Sequence, residues 1–154
     1  MDRFQELLWD LGEIIEVPLH VDKNHACQIL LDDMLTIHLE MDAHGEDLVV
    51  GSFIAELPPG RFRENVLKES LKVNATYHEF GSLAYIEKNN ILILHKKLPT
   101  DELTGQKLGD FLEMFIAEAD SWRSAIVDGH AAPADYLKTH GDKPSPYNIP
   151  PKTL

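Results

Sequence analysis

The chain has 154 residues, a formal net charge of -12, 44% hydrophobic residues and a single cysteine, Cys27. A domain of this size buries roughly two thirds of its unfolded surface, and one cysteine excludes an internal disulfide or a cysteine-based zinc cluster. The acidic balance repels phosphate backbones and anionic lipid surfaces, so neither nucleic-acid binding nor membrane insertion is expected, and the expected partner is another protein.

The N-terminus, Met1 to Glu6, has no basic region followed by an apolar run, so no signal peptide is expected. Phe4, Leu7, Leu8, Leu11, Ile14 and Ile15 recur at helical spacing behind Asp2, a suitable N-cap, and Pro18 stops the pattern. This predicts an amphipathic helix over about residues 2–16. Three strands follow, Ala26 to Leu31, Met34 to Met41 and Leu48 to Ala55. Asp32-Asp33 and Asp42-Ala43-His44-Gly45 supply the turns between them, which predicts an antiparallel meander. In the first strand Cys27, Ile29 and Leu31 share a face opposite Gln28 and Leu30. In the second, Ile37 and Leu39 alternate with His38 and Glu40.

Pro58-Pro59-Gly60 ends the meander, because two prolines cannot continue a hydrogen-bonded ladder. Arg61 to Asn74 is predicted as a second helix with Phe62, Val66, Leu67, Ser70 and Leu71 on one face. Thr76 to Gly81 connects it to strands Ser82 to Glu87 and Ile91 to Leu98, joined through Lys88-Asn89-Asn90. Leu108, Phe111, Leu112, Phe115, Ile116, Ala119, Trp122 and Ile126 then mark a third helix, Gly105 to Val127, with Gly129 as its C-cap. The expected fold is α+β: a five-stranded twisted antiparallel sheet with three helices in the order α-β-β-β-α-β-β-α. Residues 1–128 form the domain and carry a charge of -13; residues 129–154 carry +1 and hold Pro133, Pro144, Pro146, Pro150 and Pro151. Apolar periodicity vanishes there, which predicts an extended or disordered tail.

No set of catalytic residues accompanies this framework. The eight histidines lack metal-ligand spacing, although His38 and Glu40 share a strand face and form the nucleus of an alternative reading, a small-molecule or metal site with hydrolytic potential. The acidic turns lack the alternating ligands of a calcium loop. Cys27 has no basic neighbour in sequence, and no glycine cluster forms a phosphate loop. These absences argue against an enzyme and against a cofactor.

From Leu7 to Trp122 the pattern resembles the class I type III secretion chaperones, the Tir-chaperone (CesT-like) family. The resemblance is carried by Ile14-Ile15-Glu16-Val17-Pro18-Leu19, by Cys27 to Asp33 with Leu35 to Glu40, by Glu56-Leu57-Pro58-Pro59, and by Phe111, Leu112, Phe115 and Trp122-Arg123 in the last helix. It implies a homodimer in the bacterial cytoplasm that holds the N-terminal segment of a secreted effector extended before export, without a nucleotide. It also implies contact with secretion-apparatus components. The Pro-rich tail departs from the compact family pattern.

Under this resemblance two surfaces are expected. The first is an effector-binding groove along the first helix and the meander, made by Phe4, Leu7, Leu8, Leu11, Cys27, Ile29, Leu31, Ile37 and Leu39. Its motivation is a sheet apolar on both faces, which needs more cover than three helices provide. The second is a two-fold interface using Phe62, Val66, Ser70, Leu83 and Tyr85. Pattern alone serves equally well for residues that cover their own sheet; the resemblance directs them to the dimer.

Overall fold

The computed structural model describes residues 2–32, 35–76 and 79–134. The first helix, α1 (Arg3–Ile15), starts at a capping box: Asp2 accepts a hydrogen bond from the Gln5 backbone N–H at 2.8 Å, and the Gln5 side chain accepts one from the Asp2 N–H at 3.0 Å. Each bond satisfies a donor that the helix start would otherwise leave unpaired. The helix stops at Glu16, which adopts a left-handed conformation (φ 58°), two residues before Pro18 removes the next donor.

The strands are β1 (Ala26–Leu31), β2 (Leu35–Met41), β3 (Asp47–Glu56), β4 (Ser82–Ile86) and β5 (Ile91–Pro99), with α2 (Arg61–Asn74) and α3 (Gly105–Val127) between and after them. This is the expected element order, with strand ends differing by about a residue. The Asp32-Asp33 turn and the expected start of β2 at Met34 fall partly outside the described residues. All four strand pairings are antiparallel, in the order β1-β2-β3-β5-β4. In β3 the register shifts between Phe53 and Ala55, leaving Ile54 as the extra residue of a bulge.

The core lies between the sheet and the helices, which share one of its faces. Ile37 and Leu39 of β2, Leu48 and Val50 of β3, and Leu92 and Leu94 of β5 meet Leu7 and Leu11 of α1 and Leu108, Phe115 and Trp122 of α3, all fully buried. Trp122 satisfies its indole N–H on Glu118, one turn earlier, at 3.2 Å. Close approach of α1 and α3 depends on a glycine: a Cβ at Gly105 would sit 2.6 Å from the Asp10 Cβ. Arg3 fastens the start of α1 to the β5–α3 connection by donating to the carbonyls of Thr100 and Leu103. Asn74 fastens the end of α2 to β4, accepting from Leu83 N–H at 2.8 Å and donating to Leu83 C=O at 2.7 Å.

Helix α3 ends as the sequence predicts. Gly129 takes positive φ (84°), its N–H donates to Ile126 C=O at 3.0 Å, and His130 N–H donates to Ala125 C=O at 2.8 Å, the paired bonds of a Schellman cap. Ala132 and Pro133 are buried on the body, so the chain is anchored up to residue 134. The remainder of the expected Pro-rich tail, residues 135–154, lies outside the described residues. Among the described residues no helix is long and apolar enough to cross a membrane.

Candidate functional site

Because side chains alternate across a strand, the ladder registers define what the sheet presents on its outer face. One row runs Gln28, His38, Gly51, His95 and Ser82 across all five strands. Beside it Phe53, Ile93 and Ala84 form an apolar row, and Ile91 and Ile86 extend it. Leu30, Thr36, Glu40 and Val49 belong to the same face. The three helices cover the opposite side.

The outer face is therefore open. Phe53 is 61% exposed and Leu30 62%, values that a core aromatic or leucine does not show. A shallow groove of about 410 Å³ follows the face, with Phe53, Ile86, Ile93 and Val49 as apolar walls and Thr36, His38, Glu40 and His95 supplying polar groups. Gly51 keeps its floor low; a Cβ there would meet only the Leu94 carbonyl, at 3.9 Å. Ordinary alternation along β3 puts Val49, Gly51 and Phe53 outside and Leu48, Val50, Ser52 and Ile54 inside; the bulge that follows Phe53 changes the phase only of Ala55 and Glu56. His38 Nε2 lies 3.3 Å from Glu40 Oε2, with both side chains partly exposed. Among the described residues no group of three His, Cys, Asp or Glu side chains converges as a metal site would require.

A second concavity, about 570 Å³, lies between α1 and the segment that follows it. Trp9 (62% exposed) and Val17 offer apolar surface there, Gly12 lets the returning chain approach, and Glu13 and Glu16 form an acidic rim.

The sequence-predicted groove residues are brought together, but on the covered side. Phe4, Leu7, Leu8 and Leu11, with Cys27, Ile37 and Leu39, are buried in the core, and Ile29 and Leu31 are half-buried against its edge. The same strands carry the open surface on their alternate residues. Of the expected interface residues, Val66, Ser70 and Leu83 are likewise buried within the chain, and Phe62 and Tyr85 are half-buried beside them. Ser70 is occupied internally, donating to Val66 C=O at 2.8 Å, and Tyr85 donates to the Asn90 side chain at 2.6 Å with Arg63 over its ring. The outer-face residues Phe53, Ile93, Ile86 and Val49 are absent from the sequence-predicted set. Their signal was the run Leu48-Val49-Val50-Gly51-Ser52-Phe53-Ile54, which is apolar in both phases of a strand.

Electrostatics at the site are mild. Burial pushes the Cys27 thiol above its ordinary range, with the Asp22 charge acting the same way and a backbone hydrogen bond at His20 opposing. A protonated, enclosed thiol is a poor nucleophile. Native protein is expected to resist iodoacetamide at Cys27 and to be alkylated fully in denaturant, as read by intact mass; rapid native labelling would place Cys27 at an opening surface. In the β2–β3 turn, desolvation acts against ionisation of Asp42, but the N–H groups of Asp47, Glu46 and Gly45 with the Lys97 charge hold its carboxyl below the usual range. Two of those N–H groups, of Glu46 and Asp47, lie 3.0 and 3.3 Å from Oδ1. This is turn chemistry at the rim of the sheet.

Three comparisons bear on these surfaces. The profile of the Tir chaperone protein (CesT) family matches residues 6–123. No curated protein sequence matches the chain. Among solved structures, the fold is similar to one in the HopA1-SchA chaperone-effector complex, with 21% identity and a TM-score of 0.65 over 80% of this chain and 94% of that one. It is similar to one in the ExsC-ExsE complex, with 20% identity and a TM-score of 0.67 over 80% and 96%. It is also similar to one in the complex of the Yersinia pestis type III secretion chaperone SycH with a fragment of YscM2, with 13% identity and a TM-score of 0.58 over 76% and 97%.

Proposed function

The chain belongs to the Tir chaperone protein (CesT) family, and from that premise we propose that it is a type III secretion chaperone working in the bacterial cytoplasm. It binds the N-terminal chaperone-binding segment of a secreted effector and keeps that segment soluble and competent for export. The observation that carries this reading is the uncovered apolar face of the sheet on an otherwise acidic body. An exposed aromatic and several aliphatic side chains in one patch have no use within the monomer, and such a patch rimmed by polar groups marks a protein-binding surface. The solved relatives described as a chaperone-effector complex and as a secretion chaperone with a bound fragment support the same class of partner.

The effector's apolar side chains enter the groove around Phe53, Ile86 and Ile93. The α1 concavity around Trp9 and Val17 takes a further part of the same segment. Free backbone on the edge strand β1 offers a place for an added strand. The charge of -13 on residues 1–128 keeps the unliganded protein soluble and attracts a basic client. Binding requires no bond making and no cofactor: the described residues offer a surface for shape and charge recognition, and the His38–Glu40 pair sits on that surface as a polar rim. The test is co-purification from the native cytoplasm with mass-spectrometric identification of the bound protein. Recovery of a type III effector, lost on changing the outer face, supports the reading; recovery of no secreted protein from a secreting culture sinks it.

The protein acts as a homodimer through the outward side of α2 and the adjoining β4 edge. Leu71 is 70% exposed at the middle of that surface, with Leu67 half-buried next to it. An isologous contact repeats each substitution twice. Leu71→Glu is therefore expected to give folded monomers by multi-angle light scattering with an unchanged circular-dichroism spectrum. A Leu71→Glu protein that stays dimeric removes this face of α2 from the interface.

A further inference from the structure

Nothing within the monomer calls for a glycine at position 51. Gly51 lies inside β3, the middle strand of the five, where a glycine loosens the strand and packs no side chain. Its φ is not positive, and a Cβ there would touch only the Leu94 carbonyl, at the ordinary distance of 3.9 Å. The other described glycines differ. Four take positive φ, and a Cβ at Gly12, Gly105 or Gly109 would lie 2.9, 2.6 or 3.6 Å from packed neighbouring chain. A strand-interior glycine with no such cause marks a place where another chain comes close to the backbone.

The side chains around Gly51 turn the missing Cβ into a hole. Its outer-face neighbours across the ladder are His38 on β2 and His95 on β5, and along β3 they are Val49 and Phe53. All five residues line the same groove. Strand spacing puts the backbones of the two histidines about 10 Å apart, and strand rise puts those of Val49 and Phe53 about 13 Å apart. With the four side chains standing up from the sheet, the space over Gly51 is one side chain wide. None of the four is Asp, Glu, Lys or Arg, so an apolar side chain fills the hole without leaving a charge unpaired. Glu40 follows along β2 and holds His38 Nε2 at 3.3 Å, which orients that wall. Lys97, opposite Val49 on β5, acts on Asp42. The rim on the β2 side is therefore acidic, on an acidic body, and favours a Lys or Arg next to the entering residue.

We infer that Gly51 is the floor of a specificity pocket for one aliphatic side chain of the effector segment, a Leu, Ile or Met standing beside a basic residue. The inference rests on the reading of the outer face as the effector site and names what that site selects. Any side chain at position 51 would occupy the pocket and hold the effector's backbone off the sheet. Burial of one such aliphatic side chain changes affinity by about 10- to 100-fold. The glycine thus gives up strand stability for recognition.

The experiment uses the full chain with overlapping peptides that tile the N-terminal region of the co-purified effector. Gly51→Ala is expected to raise the urea midpoint and to weaken the tightest peptide about 3- to 10-fold. Gly51→Val should keep the native circular-dichroism spectrum and weaken it about 30-fold or more. An alanine scan of that peptide should find one Leu, Ile or Met, beside a Lys or Arg, whose loss costs about 10-fold against the native protein and under about 2-fold against Gly51→Val. The methyl protons of that residue should show nuclear Overhauser contacts to the Gly51 Hα protons in the native complex, a measurement that holds even if Gly51→Val fails to fold. Native affinity in both Gly51 variants overturns the inference. So does a lowered midpoint in Gly51→Ala, which would give the glycine a structural cause, and so does contact of Gly51 with an aromatic or charged peptide residue or with none. If Phe53→Asp abolishes effector binding while both Gly51 variants bind normally, only the pocket fails. If Phe53→Asp retains the effector, the site itself is misassigned.

Discussion

Phe53→Asp is expected to abolish retention of the effector while leaving the fold and its stability close to native. Phe53 is more than half exposed in the unliganded protein, so a polar replacement there removes little buried area. It lies at the wall of the outer groove, across from Ile93 on β5. Burying one such anchor contributes roughly 1.5 to 3 kcal/mol to association before ordering costs. Putting a carboxylate in its place adds a desolvation cost, because no cation lies in the same row to pair it: its neighbours there are Ile93 and Ala84. Together these terms amount to a loss of affinity of 100-fold or more. Isothermal titration with the co-purified effector segment, alongside a urea unfolding curve for each variant, measures both halves of the expectation. Native affinity in a normally folded Phe53→Asp protein would move the site away from the sheet.

Phe115→Ala is expected to have the opposite profile, a large loss of stability with no direct contact at the binding face. Phe115 is fully buried on α3, facing the inner side of the sheet, and its ring packs tilted against Phe111 at 5.6 Å. Truncation removes the transfer energy of the ring and leaves a cavity that the rigid α1–α3 contact cannot close, a cost of about 3 to 5 kcal/mol. That is a large part of the roughly 5 to 15 kcal/mol that a domain of this kind has. The urea midpoint should fall while its slope stays the same. An unfolding free energy within about 0.5 kcal/mol of native would mean that α3 does not pack as described.

The two variants separate folding from binding, a distinction that substitutions in the sequence-predicted groove do not make. Leu8→Asp would place a carboxylate among the buried residues of α1 and the sheet, so lost effector binding would report unfolding. Val66→Glu would do the same on α2. Leu71 and Phe53, by contrast, lie on surfaces open to solvent.

Local pattern determined most of the architecture. The 3.6-residue period of Leu108 to Ile126, the strict alternation of β2, the Asp2–Gln5 capping box and the glycine after α3 each encode a local geometry that holds in any context. The family, too, was readable from the order and spacing of those elements. Which apolar face is interior was not a local property. Period two says that Cys27, Ile29 and Leu31 share one side of β1 and that Leu30 takes the other. It does not say which side the helices cover. That depends on where α1, α2 and α3 cross the sheet, which buries the Leu48, Val50 and Ile54 phase of β3 and leaves Phe53 outside. The helices lie together on one face, so the residues with the cleanest periodicity became core and their less regular neighbours became the open surface. The same physics placed Val66 and Ser70 inward on α2 and left Leu71, one residue on, exposed. Hydrophobic periodicity records how strongly a position needs burial, whereas a binding face is made of apolar residues that the monomer's own packing leaves uncovered.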